Sequence, residues 1–162
     1  MLGTAAAVVL APSEEGSIEH PPDVVVALSG QTERLVVAEE IAEATGATLL
    51  VSWVPGSHPE RDKRCADQGE RLRCFVPRPV STAGEARVVG ELAAEHDWDR
   101  LVVVTSRYHV GRAAMLVGQC VDDPHVEMVS ATERLTAGNL VTETLGVMAG
   151  LTVQRACGFV LF

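Results

Sequence analysis

Leu101-Val102-Val103-Val104-Thr105-Ser106-Arg107-Tyr108-His109-Val110-Gly111-Arg112-Ala113 is the stretch that decides the fold of this chain. Four consecutive apolar residues run directly into hydroxyl, imidazole and guanidinium groups. An uninterrupted apolar run suits a strand buried on both faces, as in a parallel sheet, and the spacing that follows it is helical. In an open parallel sheet, ligands bind in the crevice beyond the carboxyl ends of the strands. The segment therefore predicts a strand–turn–helix unit that delivers Thr105, Ser106, Tyr108, His109 and Arg112 to that rim.

Working outward, strand-like and helix-like segments alternate along the rest of the chain. Asp23–Gly30 reads as a first buried strand ending in a turn. A helix follows from about Thr32 to Thr45, with Leu35, Ala38, Ile41 and Ala42 on one face and Glu39, Glu40 and Glu43 opposite. Gly46 is placed to close it. Thr48–Trp53 is the second strand. Val54–Arg71 is polar and broken by Pro55, Gly56, Pro59 and Gly69, which predicts a long loop over the sheet. Cys74–Val76 is a short third strand. Thr82-Ala83-Gly84-Glu85 matches a capping box opening the next helix, which carries Ala86, Val89 and Ala93 inward and ends near His96. The helix after His109 runs to about Cys120, Val126–Val129 suits an edge strand, and a last helix covers about Ala137–Ala149. The alternation predicts an α/β fold with a mostly parallel sheet of about five strands and helices on both faces. Residues 23–162 read as a single domain, and residues 1–22 as an apolar amino-terminal segment and linker.

The chain has 162 residues, 47% of them hydrophobic and 22% charged, which is the balance of a globular domain. A formal net charge of −9, with Lys63 the single lysine among 13 basic residues, excludes a nucleic-acid-binding surface built on clustered cations. Leu2–Ala11 is apolar but about half the ~20 residues of a membrane-spanning helix, and no basic region precedes it as in a signal peptide. Two readings of it stand: a short element packed on the domain, or the end of an anchor that associates the chain with a membrane.

Cysteines occupy positions 65, 74, 120 and 157 with no Cys-x-x-Cys or Cys/His ligand spacing, so no metal is expected. Bridging Cys65 to Cys74 would close a small surface loop, a stabilisation of roughly 2–3 kcal/mol that implies an oxidising compartment. The alternative is a pair of reduced thiols in a cytosolic loop. Cys120 and Cys157 are either a second bridge or small core residues.

In a parallel sheet three strand ends meet at one rim: Ser29-Gly30, Ser52 and Thr105-Ser106. The helix starting at Thr82 points its amino end at the same rim, where free N–H groups attract anions. Arg34 sits in the first turn of its helix, and Tyr108, His109 and Arg112 share one face of the turn that follows Ser106. Guanidinium groups beside a helix end suit a phosphate or carboxylate ligand. His109 is the candidate general acid or base. Plainer roles compete: a surface ion pair for Arg34, a core position for Tyr108, a structural imidazole for His109, and capping alone for Thr82 and Glu85. No Gly-x-Ser-x-Gly elbow, Gly-x-Gly-x-x-Gly fingerprint or P-loop is present, and no cofactor is expected.

The strand ending in Gly30 with Arg34 after it, the Ser52 strand end, Ser81-Thr82-x-x-Glu85-Ala86, and Val104-Thr105-Ser106-x-Tyr108-His109-x-x-Arg112-Ala113 together resemble the SanA/ElyC/YdcF family over about Asp23–Leu151. That resemblance implies a three-layer, Rossmann-like domain, often anchored in the cytoplasmic membrane and facing outward. Some members are linked to envelope integrity and cell-wall precursor metabolism, and one soluble member to S-adenosylmethionine. The expectation is an extracytoplasmic cell-envelope domain, membrane-anchored or secreted, that binds a small anionic ligand at the rim. A lipid-linked cell-wall intermediate is the natural candidate, with Ser29, Gly30, Arg34, Ser52, Thr82, Glu85, Thr105, Ser106, Tyr108 and Arg112 as binding residues. If the domain is an enzyme, hydrolysis or transfer with His109 as acid/base is expected; the alternative is a non-catalytic binding or sensing module. A cytosolic S-adenosylmethionine-binding protein ranks below both, because Ser52-Trp53 offers no carboxylate to a ribose.

Overall fold

In the structure, a computed structural model that describes residues 20–122, 125–131 and 157, the apolar runs become the strands of one parallel sheet. The elements alternate as β1 (Val24–Ala27), α1 (Thr32–Thr45), β2 (Thr48–Ser52), α2 (Pro59–Cys65), β3 (Leu72–Phe75), α3 (Thr82–Glu95), β4 (Arg100–Ser106), a 3-10 turn (Arg107–His109), α4 (Val110–Cys120) and β5 (His125–Ala131). The spatial order is β3-β2-β1-β4-β5, every neighbouring pair parallel. The apolar segment Leu2–Ala11 and the helix predicted over 137–149 lie outside the described residues.

β1 is the centre of the sheet, and all four of its residues are buried. Side chains alternate between faces along each strand, so an all-apolar strand needs cover on both sides. Val24, Val26, Leu101 and Val103 pack with Ala86, Val89 and Ala93 of α3 and with Leu116 and Val117 of α4. Val25, Ala27, Val102 and Val104 pack with Leu35, Ala38 and Ala42 of α1 and with Cys65 of α2. The chain winds from β1 out to β2 and β3, then returns across β1 to β4 and β5. Crossovers of one hand travelling in opposite directions place their helices on opposite faces, which gives the three layers. The reversal falls between β1 and β4, whose register runs Val24↔Leu101 to Ala27↔Val104.

The expected end of α1 holds: Gly46 adopts a left-handed conformation (φ 75°) and its N–H bonds the Ala42 carbonyl at 2.9 Å. Two expectations need correction. The polar 54–71 segment is not a continuous loop, because it contains α2, which starts on Pro59 and is tied to β3 through the Cys65–Cys74 disulfide. Nor do Thr82 and Glu85 form a capping box. The cap of α3 is Ser81, whose Oγ accepts the Gly84 N–H at 3.1 Å, and this leaves both Thr82 and Glu85 for other contacts.

Candidate functional site

The crevice between the carboxyl ends of β1 and β4 is where the strand order reverses, and Ser29, Arg34, Thr82, Glu85, Ser106, His109 and Arg112 of the predicted residues are joined there. Arg34 is buried and turned inward. Its Nε donates to Ser106 Oγ at 2.8 Å, its Nη2 donates to the same hydroxyl, and its Nη1 donates to the Ser29 carbonyl. The Ser29 N–H in turn donates to Glu85 Oε1 at 2.6 Å. The Ser29-Gly30 loop is therefore gripped from one face by a guanidinium on α1 and from the other by a carboxylate on α3. Gly30 makes this possible: at φ 136°, a Cβ added there would lie 2.5 Å from Arg34 Cζ. No surface glutamate is needed to account for Arg34.

A second set of contacts abuts the first. Thr82 Oγ1, in the opening residue of α3, lies 3.1 Å from His109 Nε2 and accepts a hydrogen bond from Arg112 Nη2 at 3.0 Å. The two sets are joined through the backbone twice, by the 3-10 turn from Ser106 to His109 and by the first turn of α3 from Thr82 to Glu85. The contacts thus close a ring: Arg34, Ser106, His109, Thr82, Glu85, Ser29 and back to Arg34. His109 is 5% exposed, whereas Thr82 and Arg112 are half-buried. Arg112 is one turn along α4 from the imidazole, as the helical spacing predicts. Tyr108 lies half-buried in the 3-10 turn.

Ser52 and Thr105 sit at the same end of the sheet but outside the ring. Both are fully buried, and neither hydroxyl has a hydrogen-bond partner. Strand alternation turns Thr105 to the face opposite Ser106, away from Arg34. The Ser52 carbonyl belongs to a residue that the sequence reading left out, Arg61 of α2. Only 1% exposed, Arg61 donates from Nη1 to the Ser52 carbonyl at 2.8 Å and from Nη2 to the Leu28 carbonyl at 2.8 Å, bracing the carboxyl ends of β2 and β1. The signal for it was a helix start: Pro59 in first position, Glu60 and Asp62 in the first turn, Lys63 and Arg64 in the last.

The β2–α2 connection is fixed by Asp62, whose Oδ1 accepts from Trp53 Nε1 at 2.8 Å and from the Gly56 N–H at 2.9 Å. These bonds, the indole's foremost, stabilise the charged carboxylate and hold its pKa below the ordinary aspartate value.

A separate cavity of about 380 Å³ opens at the opposite end of the sheet, lined by His20, Arg100, Leu101, His125, Val126 and Glu127, and it shares no residue with the ring. Its walls hold the starts of β4 and β5, where an open α/β sheet does not place its ligands. Among the described residues no cluster of His, Cys, Asp or Glu is built to hold a metal ion, and no helix is long and apolar enough to cross a membrane. Both cysteine pairs, Cys65–Cys74 and Cys120–Cys157, are disulfides, which fits an oxidising, extracytoplasmic compartment. No family model matches the chain, and neither does any curated protein.

Proposed function

We propose that this domain works outside the cytoplasm in cell-envelope biogenesis, binding a phosphorylated ligand at the β1/β4 rim. The observation that carries the reading is the half-buried Arg112 guanidinium beside His109 and Thr82, at the crevice where this topology binds its ligands. Arg112 is the cation that faces the ligand, and Arg34, committed to Ser106 and Ser29, holds the rim in shape. The resemblance of Thr105-Ser106-x-Tyr108-His109-x-x-Arg112 to the SanA/ElyC/YdcF family supports the envelope context, as do the two disulfides. In this reading the ligand is a lipid-linked cell-wall intermediate or its soluble head group, and the apolar Leu2–Ala11 stretch associates the chain with the membrane.

The test is calorimetric titration with an isoprenoid pyrophosphate and with a nucleotide-activated sugar. Replacing Arg112 with Ala removes a charged hydrogen bond worth at least ~1.5 kcal/mol, so affinity should fall about tenfold or more. Equal affinity of the Arg112→Ala protein and the parent would take Arg112 out of the site. Binding with no product formed by the parent protein would leave a sensing module rather than an enzyme.

A further inference from the structure

We propose that Thr82 is a nucleophile for phosphoryl transfer, with His109 as its general base and Arg112 set against the charge that develops on its oxygen. The proposal rests on the anionic-ligand reading above for its substrate class, but its chemistry stands on the Thr82 hydroxyl alone. A threonine opening a helix ordinarily serves as a cap, yet Ser81 already does so through Gly84. The Thr82 hydroxyl therefore has no duty to its own helix, and its two contacts are both of the kind that activate a hydroxyl. Arg112 donates into Oγ1 at 3.0 Å and takes up a lone pair, which lowers the energy of the alkoxide. In its Nδ1–H tautomer His109 presents Nε2 as an acceptor 3.1 Å from Oγ1, and the hydroxyl hydrogen then points at it. Nucleophile and base within hydrogen-bond reach, with a fixed cation alongside, is the arrangement nucleophilic catalysis requires. Three other hydroxyls at this end of the sheet lack it: Ser106 is fully buried and held by Arg34, while Ser52 and Thr105 are fully buried with no partner. Thr82 is half-buried, with its base behind it.

The step balances without a metal or a redox partner. Thr82 Oγ1 forms a bond to phosphorus as the bond from phosphorus to the leaving alcohol or phosphate oxygen breaks. The hydroxyl proton passes to His109 Nε2 and from there to the departing oxygen. Water then attacks the threonyl phosphoester, giving a proton to the same nitrogen, and Oγ1 recovers that proton as its bond to phosphorus breaks.

Diisopropyl fluorophosphate tests this without requiring anion binding, since it is uncharged and phosphorylates any hydroxyl activated in this way with loss of fluoride. Peptide mass spectrometry of the treated, disulfide-intact protein should find the adduct on Thr82. Thr82→Ser should still be labelled at position 82, and the isosteric Thr82→Val should not be labelled there. His109→Gln, shown to be folded by its circular dichroism and intact disulfides, should label at least about a hundredfold more slowly. A folded parent protein that takes up no label, or takes it up equally fast in His109→Gln, overturns the proposal. Inorganic pyrophosphate titrated into the parent and Thr82→Val proteins separates the two ideas: tight binding to both without labelling removes the nucleophile and keeps the ligand site. Labelling without pyrophosphate binding keeps the nucleophile and removes the anionic ligand.

Discussion

Glu85 meets the backbone N–H of the first loop, a group that dinucleotide-binding sheets of this kind turn toward a pyrophosphate. Its carboxylate accepts the Ser29 N–H immediately after β1, so the protein supplies its own anion to the first loop. Buried at 2% exposure, Glu85 has no access to water that could replace that bond. Glu85→Gln keeps an acceptor and loses only the charge, and should cost about 1 kcal/mol. Glu85→Ala leaves the Ser29 N–H unpaired and should cost about 1–3 kcal/mol. Urea unfolding measures both, and amide exchange at Ser29 should accelerate in the Ala variant far more than in the Gln variant. If the two variants are equal, the carboxylate does not hold this loop. Asp62 makes a comparable contact at the surface, and its titration can be followed through Trp53. Its folded pKa lies below the unfolded one, so the stability it contributes is fully present above the ordinary aspartate value and is lost as pH falls through the lower folded value. Trp53 fluorescence should hold steady through the usual aspartate range on acidification and change only below it. Asp62→Asn should abolish that late transition.

At the scale of elements, two glycines in neighbouring helices predict opposite outcomes for the same substitution. A Cβ on Gly90, inside α3, would lie 2.2 Å from the Cys120 carbonyl oxygen at the end of α4, and that atom is backbone. A Cβ on Gly118, inside α4, would meet nothing within 4 Å. Alanine brings about 1 kcal/mol of helix propensity to either site. At Gly118 that gain stands, so Gly118→Ala should raise stability by about 0.5–1 kcal/mol. At Gly90 overpacking dominates, and Gly90→Ala should lose about 1–3 kcal/mol as α3 and α4 are pushed apart. Matching changes in denaturation midpoint would contradict the close approach. Elements also differ in how openly the sequence declares them. β1 and the Leu101–Val104 run of β4 are legible because both of their faces are buried and every position there is apolar. α1 and α3 are legible because an apolar face alternates with glutamates. α2 escaped because its inward residues are Arg61 and Cys65: a cation facing the sheet leaves no apolar stripe in Pro59-Glu60-Arg61-Asp62-Lys63-Arg64-Cys65. The rim residues were found because they follow the strand ends, but their pairing was not. Which of Ser81 and Thr82 caps α3, and so which hydroxyl is left for His109, depends on one residue of helix phase that side-chain type does not specify.

For the molecule as a whole, the two disulfides act on different parts of the problem. Cys65–Cys74 spans 9 residues and pins α2 to β3, and with them the Arg61 brace, which lies one helical turn before Cys65. Cys120–Cys157 spans 37 residues and ties the end of α4 to a position far along the chain. Closing these loops restricts the unfolded chain by roughly 3 and 4 kcal/mol respectively. A domain of this size has only about 5–15 kcal/mol of net stability, so the two bridges together are a large share of it. Two bridges remove two hydrogens each, so the intact oxidised protein should weigh four hydrogens less than its reduced form. Under a thiol reductant the urea midpoint should fall sharply. Cys120→Ser/Cys157→Ser should lose about 1 kcal/mol more than Cys65→Ser/Cys74→Ser if loop closure alone governs. The short loop carries an additional structural load, however, because freeing α2 loosens Arg61 from the carbonyls of Leu28 and Ser52. If the 65/74 variant proves the less stable of the two, that brace outweighs chain entropy, and its ligand affinity should drop along with its stability. The long-loop variant, whose bridge lies at the far end of α4 from Arg112, should bind as the parent does while it remains folded.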